Sequence, residues 1–185
     1  MNWKFIEKSI SYTGRQLRSH WIYKNFNLLG DAIVAFTGRA KVEKDDLVDL
    51  EDEKAGFFIE SSEMLHFIVE HFGMDLELGI HRQRLLATII CSEINHQLRK
   101  NVVERRGDNI YDGKYKISVS IATLSPVSVI IHEGINVVST GTPVKTRGLL
   151  DYGIDPRPFS EHVMRRYCKE IEEIRIARCK VRGVK

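Results

Sequence analysis

The chain has 185 residues, 43% of them hydrophobic and 29% charged, with a formal charge of +3. That length suits one domain with a proper core, residues 1–185, and the composition excludes a disordered chain. The charge is too balanced to argue for nucleic acid by itself, and no apolar run reaches the length that spans a bilayer.

The amino-terminal stretch "MNWKFIEKSISYTG" lacks the apolar core and cleavage site of a signal peptide, so a cytoplasmic location is expected. The first elements read as short strands, "QLRSHWIY" and then "DAIVAFTG", which is nearly all apolar from Ala32 to Phe36 as in a strand covered on both faces. The acidic stretch "EKDDLVDLEDEKAG" alternates Val48 and Leu50 with Asp49, Glu51 and Asp52, which suggests a strand or ordered loop with carboxylates on one side.

Two helices are expected next. "SSEMLHFIVEHFG" offers Ser61 or Ser62 as N-cap, an apolar face of Met64, Leu65, Phe67, Ile68 and Phe72, and a stop at Gly73. "HRQRLLATIICSEINHQLRK" repeats the spacing with Leu85, Leu86, Ile89, Ile90, Ile94 and Leu98. Strands return in "NVVERRGDNIYDG" and in a hairpin from Gly113 to Val137 that turns at Ser125-Pro126. After the loop "STGTPVKTRGLLDYGIDPRP", a last helix runs from near Phe159 through Val163, Tyr167, Ile171 and Ile174. The sum is α+β: a mixed, mainly antiparallel sheet covered by about three helices. The three cysteines form no C-x-x-C pair and read as reduced, structural thiols.

The hairpin is the most regular feature. A period of two sends Tyr115, Ile117, Val119 and Ile121 to a core face and Lys116, Ser118, Ser120 and Ala122 to the other. Small residues beside a lysine leave space for a ligand. The returning arm, "HEGIN", brings His132, Glu133, Gly134 and Asn136 near it, with the glycine permitting close approach.

These residues carry a resemblance. "NIYDGKYKISVSIATLSPVSVIIHEGINV" resembles the central hairpin of the biotin/lipoate protein ligase superfamily, with Gly113, Lys116, Ile117, Ser118 and Ser120 on the first arm. His132, Gly134, Ile135, Asn136 and Val137 stand on the second, with Glu133 inserted. The whole chain is similar to an uncharacterised prokaryotic family with that class II synthetase-like fold. The resemblance implies a lysine that binds an acyl carbonyl or a phosphate and stabilises negative charge there. That role falls on Lys116, with Ser118 and Ser120 as floor and His132, Gly134 and Asn136 as rim. It implies a small-molecule ligand and, in the ligase branch, ATP and Mg. The Arg/Gly-rich segment that wraps the nucleotide in the ligases has no counterpart upstream of the hairpin.

Other features carry further expectations. Lys145 and Arg147 in the glycine-containing loop, and Arg18 near the amino terminus, are candidate anion ligands. Asp49, Glu51 and Asp52 form a candidate metal or polar site. The basic end "RIARCKVRGVK", together with Lys145 and Arg147, keeps a non-catalytic RNA- or protein-binding module as the alternative, and a homodimer stays open. Two Glu-x-x-His pairs, Glu63 with His66 and Glu93 with His96, admit a metalloprotein as the weaker third reading.

Overall fold

The computed structural model describes residues 1–56, 59–140, 142 and 144–184, apart from the side chains of Asp52 and Ile59. In chain order the elements are β1 (Asn2–Phe5), α1 (Trp21–Phe26), β2 (Ala32–Val42), α2 (Leu50–Ala55) and β3 (Ile59–Phe72). They continue with α3 (Leu76–Leu98), β4 (Glu104–Arg106), β5 (Asn109–Asp112), β6 (Tyr115–Lys116), β7 (Ser118–Leu124), β8 (Ser128–Asn136) and α4 (Pro156–Lys180).

The main sheet has the order β1-β2-β3-β8-β7, with β1 parallel to β2 and the other neighbours antiparallel. A smaller sheet, β4-β5-β6, leads into β7. The fold is therefore the expected mixed α+β one with a mainly antiparallel sheet, and four α-helices are present among the described residues.

Two hydrophobic clusters hold the main sheet from opposite faces. On one face Ile33, Leu65, Phe67, Val69, Ile131 and Ile135 pack with Leu86, Ile90 and Ile94 of α3 and with Phe159, Val163 and Tyr167 of α4. On the other, Val34, Phe36, Ile68 and Ile130 pack with Ile6, Tyr12 and Ile22 from the amino-terminal segment. Each fully buried large side chain contributes about 1.5–3 kcal/mol of hydrophobic stabilisation.

Several expectations need correction here. "SSEMLHFIVEHFG" is not a helix; it is β3, the strand at the centre of the sheet. Alternate residues of β3 face different cores, Leu65, Phe67 and Val69 one way and Ile68 the other. Apolar residues on both faces erase the alternation and leave a spacing that mimics a helix. "QLRSHWIY" is not a strand: it is a loop that ends in α1. The acidic stretch is a 3₁₀ turn at Lys44–Asp46 followed by the short α2. The last helix begins at Pro156, three residues earlier than expected, with Asp155 as N-cap accepting from Arg157 N at 3.0 Å.

Polar ties also lock α4 to the sheet. Asp31 Oδ2 bonds His71 Nδ1 at 3.1 Å and Arg175 Nη2 at 2.5 Å, and His71 Nε2 meets the Tyr167 hydroxyl at 2.9 Å. Burial pushes the Asp31 carboxyl upward, but its bonds from His71 and Phe72 N and the nearby positive charge of His71 and Arg175 outweigh that and hold it at about 2.

Candidate functional site

The hairpin positions the site, though not with the parity its sequence suggests. Lys116 N donates to Lys145 O at 3.0 Å, and Arg147 N donates to Lys116 O at 3.3 Å, so Lys116 is stitched to the loop over 145–147. At Ile117 the chain leaves β6 and enters the main sheet, where Asn136 N donates to Ile117 O at 3.0 Å. Ile117 and Ser118 are consecutive and both fully buried, which marks a slip in the alternation.

The slip turns the strand over. Ser118, Ser120 and Ala122 sit opposite Ile135, Glu133 and Ile131, on the face that packs under α3. Val119 and Ile121 sit opposite Gly134 and His132, on the other face. Ser118 Oγ accepts from Ile110 N at 2.9 Å, and Ser120 Oγ accepts from Gln83 Nε2 at 2.9 Å and donates to His132 O at 3.1 Å. The Ser120 hydroxyl both accepts and donates within the fold, while that of Ser118 accepts from Ile110 N and keeps its own proton to give. Ser118 and Ser120 are among the residues lining the cavity, and Val119 and Ile121 add apolar surface beside them.

That other face carries a cavity of about 350 Å³, within the range of small-molecule sites. Val119, Ile121 and Met64 give it an apolar floor, and Val42, Leu47, Val48 and Val144 give it apolar walls. Lys116 and Asn136 stand at one end, and Tyr12 and His132 also line it. Among the described residues the Lys116 ammonium makes no ion pair, and Lys116 is the lining's lysine or arginine.

Four carboxylates lie along the wall: Asp46, Asp49, Glu60 and Asp108. Two of them are matched, Asp46 by Arg15 at 3.3 Å and Glu60 by Arg39 at 2.6 Å. Asp49 Oδ1 accepts from Glu51 N at 2.8 Å, which starts α2.

A histidine pair supports the cavity from within the sheet. His66 Nδ1 and His132 Nε2 are 3.0 Å apart, and His66 Nε2 lies 3.2 Å from Gly38 O. The Tyr12 ring stacks on His132 with centroids 3.7 Å apart and planes at 12°. Burial lowers the pKa of both imidazoles, His66 to about 4 and His132 well below its usual value, so both are neutral at pH 7. Gly134 makes room for the pair: a Cβ there would stand 3.0 Å from Met64 Cε and 3.1 Å from His132 Cε1.

Behind the floor lies Glu133, fully buried. Among the described residues its two carboxylate oxygens make no hydrogen bond of normal geometry, although the Ser118 and Ser120 hydroxyls lie beside it. Burial pushes its pKa up to about 8, against weaker lowering by the nearby Ser120 and Ser118 hydroxyls.

The remaining candidates fall as follows. Lys116, His132, Asn136 and Asp49 line the cavity, and Gly134 lies under it. Arg147 does not reach it: its guanidinium pairs with Asp112, which also accepts from the Tyr152 hydroxyl at 2.9 Å, and lies over the Tyr115 ring at 4.7 Å. Arg18 is outside it too, folded back on the carbonyl of Arg15. Glu51 is exposed on α2 and not part of the lining, and the Asp52 side chain lies outside the described residues, as do Gly141 and Pro143 of the loop. No group of three His, Cys, Asp or Glu side chains that could hold a metal occurs among the described residues. Glu63 and His66 lie on a strand, and Glu93 is taken by Arg166 at 2.9 Å.

Tyr12 was not legible as a site residue, and His66 stood out only as half of a Glu-x-x-His pair, not as a partner of His132. The first waits on a loop returning to β2, where Tyr12 N donates to Arg39 O at 2.9 Å; the second is hidden by the helical spacing of β3. Helices of the described chain are too short or too polar to cross a membrane.

Comparison with known proteins now places the chain. The model of the family described as a domain of unknown function, DUF366, matches residues 1–182. The chain belongs to this family. A solved protein of unknown function from Pyrococcus horikoshi is 39% identical, with a TM-score of 0.93 over 100% of this chain and 99% of that one. The biotin protein ligase of Aquifex aeolicus, in complex with biotin and ATP, is 16% identical with a TM-score of 0.61, covering 92% of this chain and 71% of that one. A lipoate-protein ligase A bound with ATP is 13% identical with a TM-score of 0.61, covering 93% and 86%. This DUF366 chain therefore has a biotin/lipoate ligase-like fold, and the likeness to the ligases is one of fold.

Proposed function

We propose that the cavity binds a small molecule with a carboxylate or acyl carbonyl at one end and an apolar middle, as a ligand-binding or acyl-transfer domain. The observation that carries this reading is Lys116: an ammonium that makes no ion pair among the described residues, at the end of a floor made by Val119, Ile121 and Met64. Such a cation orients a carboxylate and stabilises negative charge on an acyl oxygen, while the apolar floor removes the ligand's chain from water. Asn136 stands beside it, its side-chain amide within 3.4 Å of Lys116 O. The fold likeness supports the class of ligand, since related structures hold biotin or lipoic acid.

Among the described residues the lining holds one basic side chain, Lys116, which suits a ligand with one negative charge better than a triphosphate.

The test is thermal denaturation of the wild type and Lys116→Ala with lipoate, biotin, octanoate and ATP in turn. A carboxylic acid should raise the wild-type midpoint and leave the variant unmoved, with ATP inactive on both. Equal responses from the two proteins, or none from either, remove Lys116 from the mechanism.

A further inference from the structure

The far end of the cavity carries its own chemistry. Gly38 O can only accept, so His66 Nε2 carries the proton of that 3.2 Å bond. A neutral His66 then has a bare Nδ1, and the 3.0 Å contact requires His132 to donate to it from Nε2. A neutral His132 protonated on Nε2 has a bare Nδ1. Among the described residues that nitrogen makes no hydrogen bond, and it is not sealed off. The polar side-chain atoms that are both sealed and unpartnered, among the described residues, belong to Asn109 and Glu133. His132 keeps 2% of its surface exposed and is one of the residues lining the cavity.

We infer that His66 is a positioning residue that fixes His132 as an outward-facing hydrogen-bond acceptor, so that the cavity selects ligands carrying an N–H or O–H donor at the end remote from Lys116. The ligand class follows from spacing along the strand. Asn136, beside Lys116, and His132 are four residues apart on β8, which is roughly 13 Å at the rise of a strand. An acid with a medium-length chain and a distal hydroxyl or amide N–H bridges that span. Tyr12, stacked on His132, keeps the ring from turning, and Gly134 admits it. An imidazole held through another imidazole to a backbone carbonyl has no carboxylate behind it to favour the charged form. The dyad is built to stay neutral and accept.

The ligand half of this inference rests on the carboxylate reading of the cavity; the tautomer half does not, and the experiment separates them. Nitrogen-15 NMR of imidazole-labelled protein at neutral pH should show His132 protonated on Nε2 and bare on Nδ1. His66→Leu should abolish that signature, while His66→Asn, whose side-chain oxygen replaces the bare nitrogen, should preserve it. Calorimetry then compares octanoate with ω-hydroxyoctanoate. Wild type and His66→Asn should bind the hydroxy acid about 5–10-fold more tightly, the value of one hydrogen bond, and His66→Leu should bind both alike. A wild-type His132 protonated on Nδ1, or charged, overturns the inference without any variant having to fold. Equal binding of the two acids by the wild type overturns the ligand half. Absence of binding by either acid, with the expected NMR signature, upholds the role of His66 and overturns the carboxylate reading.

Discussion

Replacing Glu133 by glutamine should make the protein's stability less dependent on pH. Glu133 is fully buried, its carboxylate oxygens make no hydrogen bond of normal geometry among the described residues, and its pKa rises from 4.5 to about 8 because burial penalises the charged form more than the nearby Ser120 and Ser118 hydroxyls favour it. The folded state therefore holds the proton more tightly than the unfolded chain. Its contribution to stability is complete below pH 4.5 and is lost as the pH rises towards about 8. At 1.36 kcal/mol per pH unit the loss reaches about 5 kcal/mol, with about 3 kcal/mol gone by pH 7. Glutamine has nearly the same shape and does not titrate, so Glu133→Gln lacks this slope. Urea unfolding of both proteins at intervals between about pH 5 and 8 measures it, since every other titrating group is shared and cancels in the difference. The variant should gain on the wild type steadily across that range. Parallel curves would refute the reasoning and mean that Glu133 is ionised in the fold through contacts not accounted for.

Other consequences test the frame that holds the cavity. Gly38→Ala should unfold or strongly destabilise the protein, because a Cβ there would lie 2.1 Å from Ile10 O, backbone that cannot yield without losing the 3.0 Å bond from Ile10 N to Thr37 O. A circular-dichroism melt close to wild type contradicts that. Asp75→Ala should cost about 1 kcal/mol in chemical denaturation, since Asp75 Oδ1 caps α3 by accepting from Leu78 N at 2.8 Å. Tyr167→Phe should cost a similar amount, about 1 kcal/mol, by removing the hydroxyl that meets His71 Nε2 at 2.9 Å.

The parts of the fold that could be read from sequence are those with a single buried face. α3 and α4 each turn one stripe to the sheet, so their spacing survives in the sequence. β3 does not: buried residues on both faces, with His66, Glu70 and His71 among them, present a mixed run whose polar members are satisfied only by distant partners. Glu70, for example, accepts from Ser128 Oγ at 2.7 Å and from His20 N at 2.8 Å, both remote in sequence. The site was half legible for a different reason. Lys116, His132, Gly134 and Asn136 stand out by motif, but the face of β7 depends on the slip at Ile117, which depends on β6 pairing with β5 and the 145–147 loop. A strict period of two cannot see a non-local register change. Arg147 illustrates the same limit: a basic residue in a glycine-containing loop looks like an anion ligand until Asp112 and Tyr115 are found around it.

In the proposed binding mode Lys116 anchors a carboxylate in the cavity over Val119 and Ile121. Calorimetric titration of octanoate and lipoate into wild type and Lys116→Ala tests it most directly, with the methyl esters as uncharged controls. The acid should bind the wild type about 10–100-fold more tightly than the variant, the worth of a hydrogen bond to a charged group, and the ester should not distinguish the two. Equal affinity of the acid for both proteins would contradict the account.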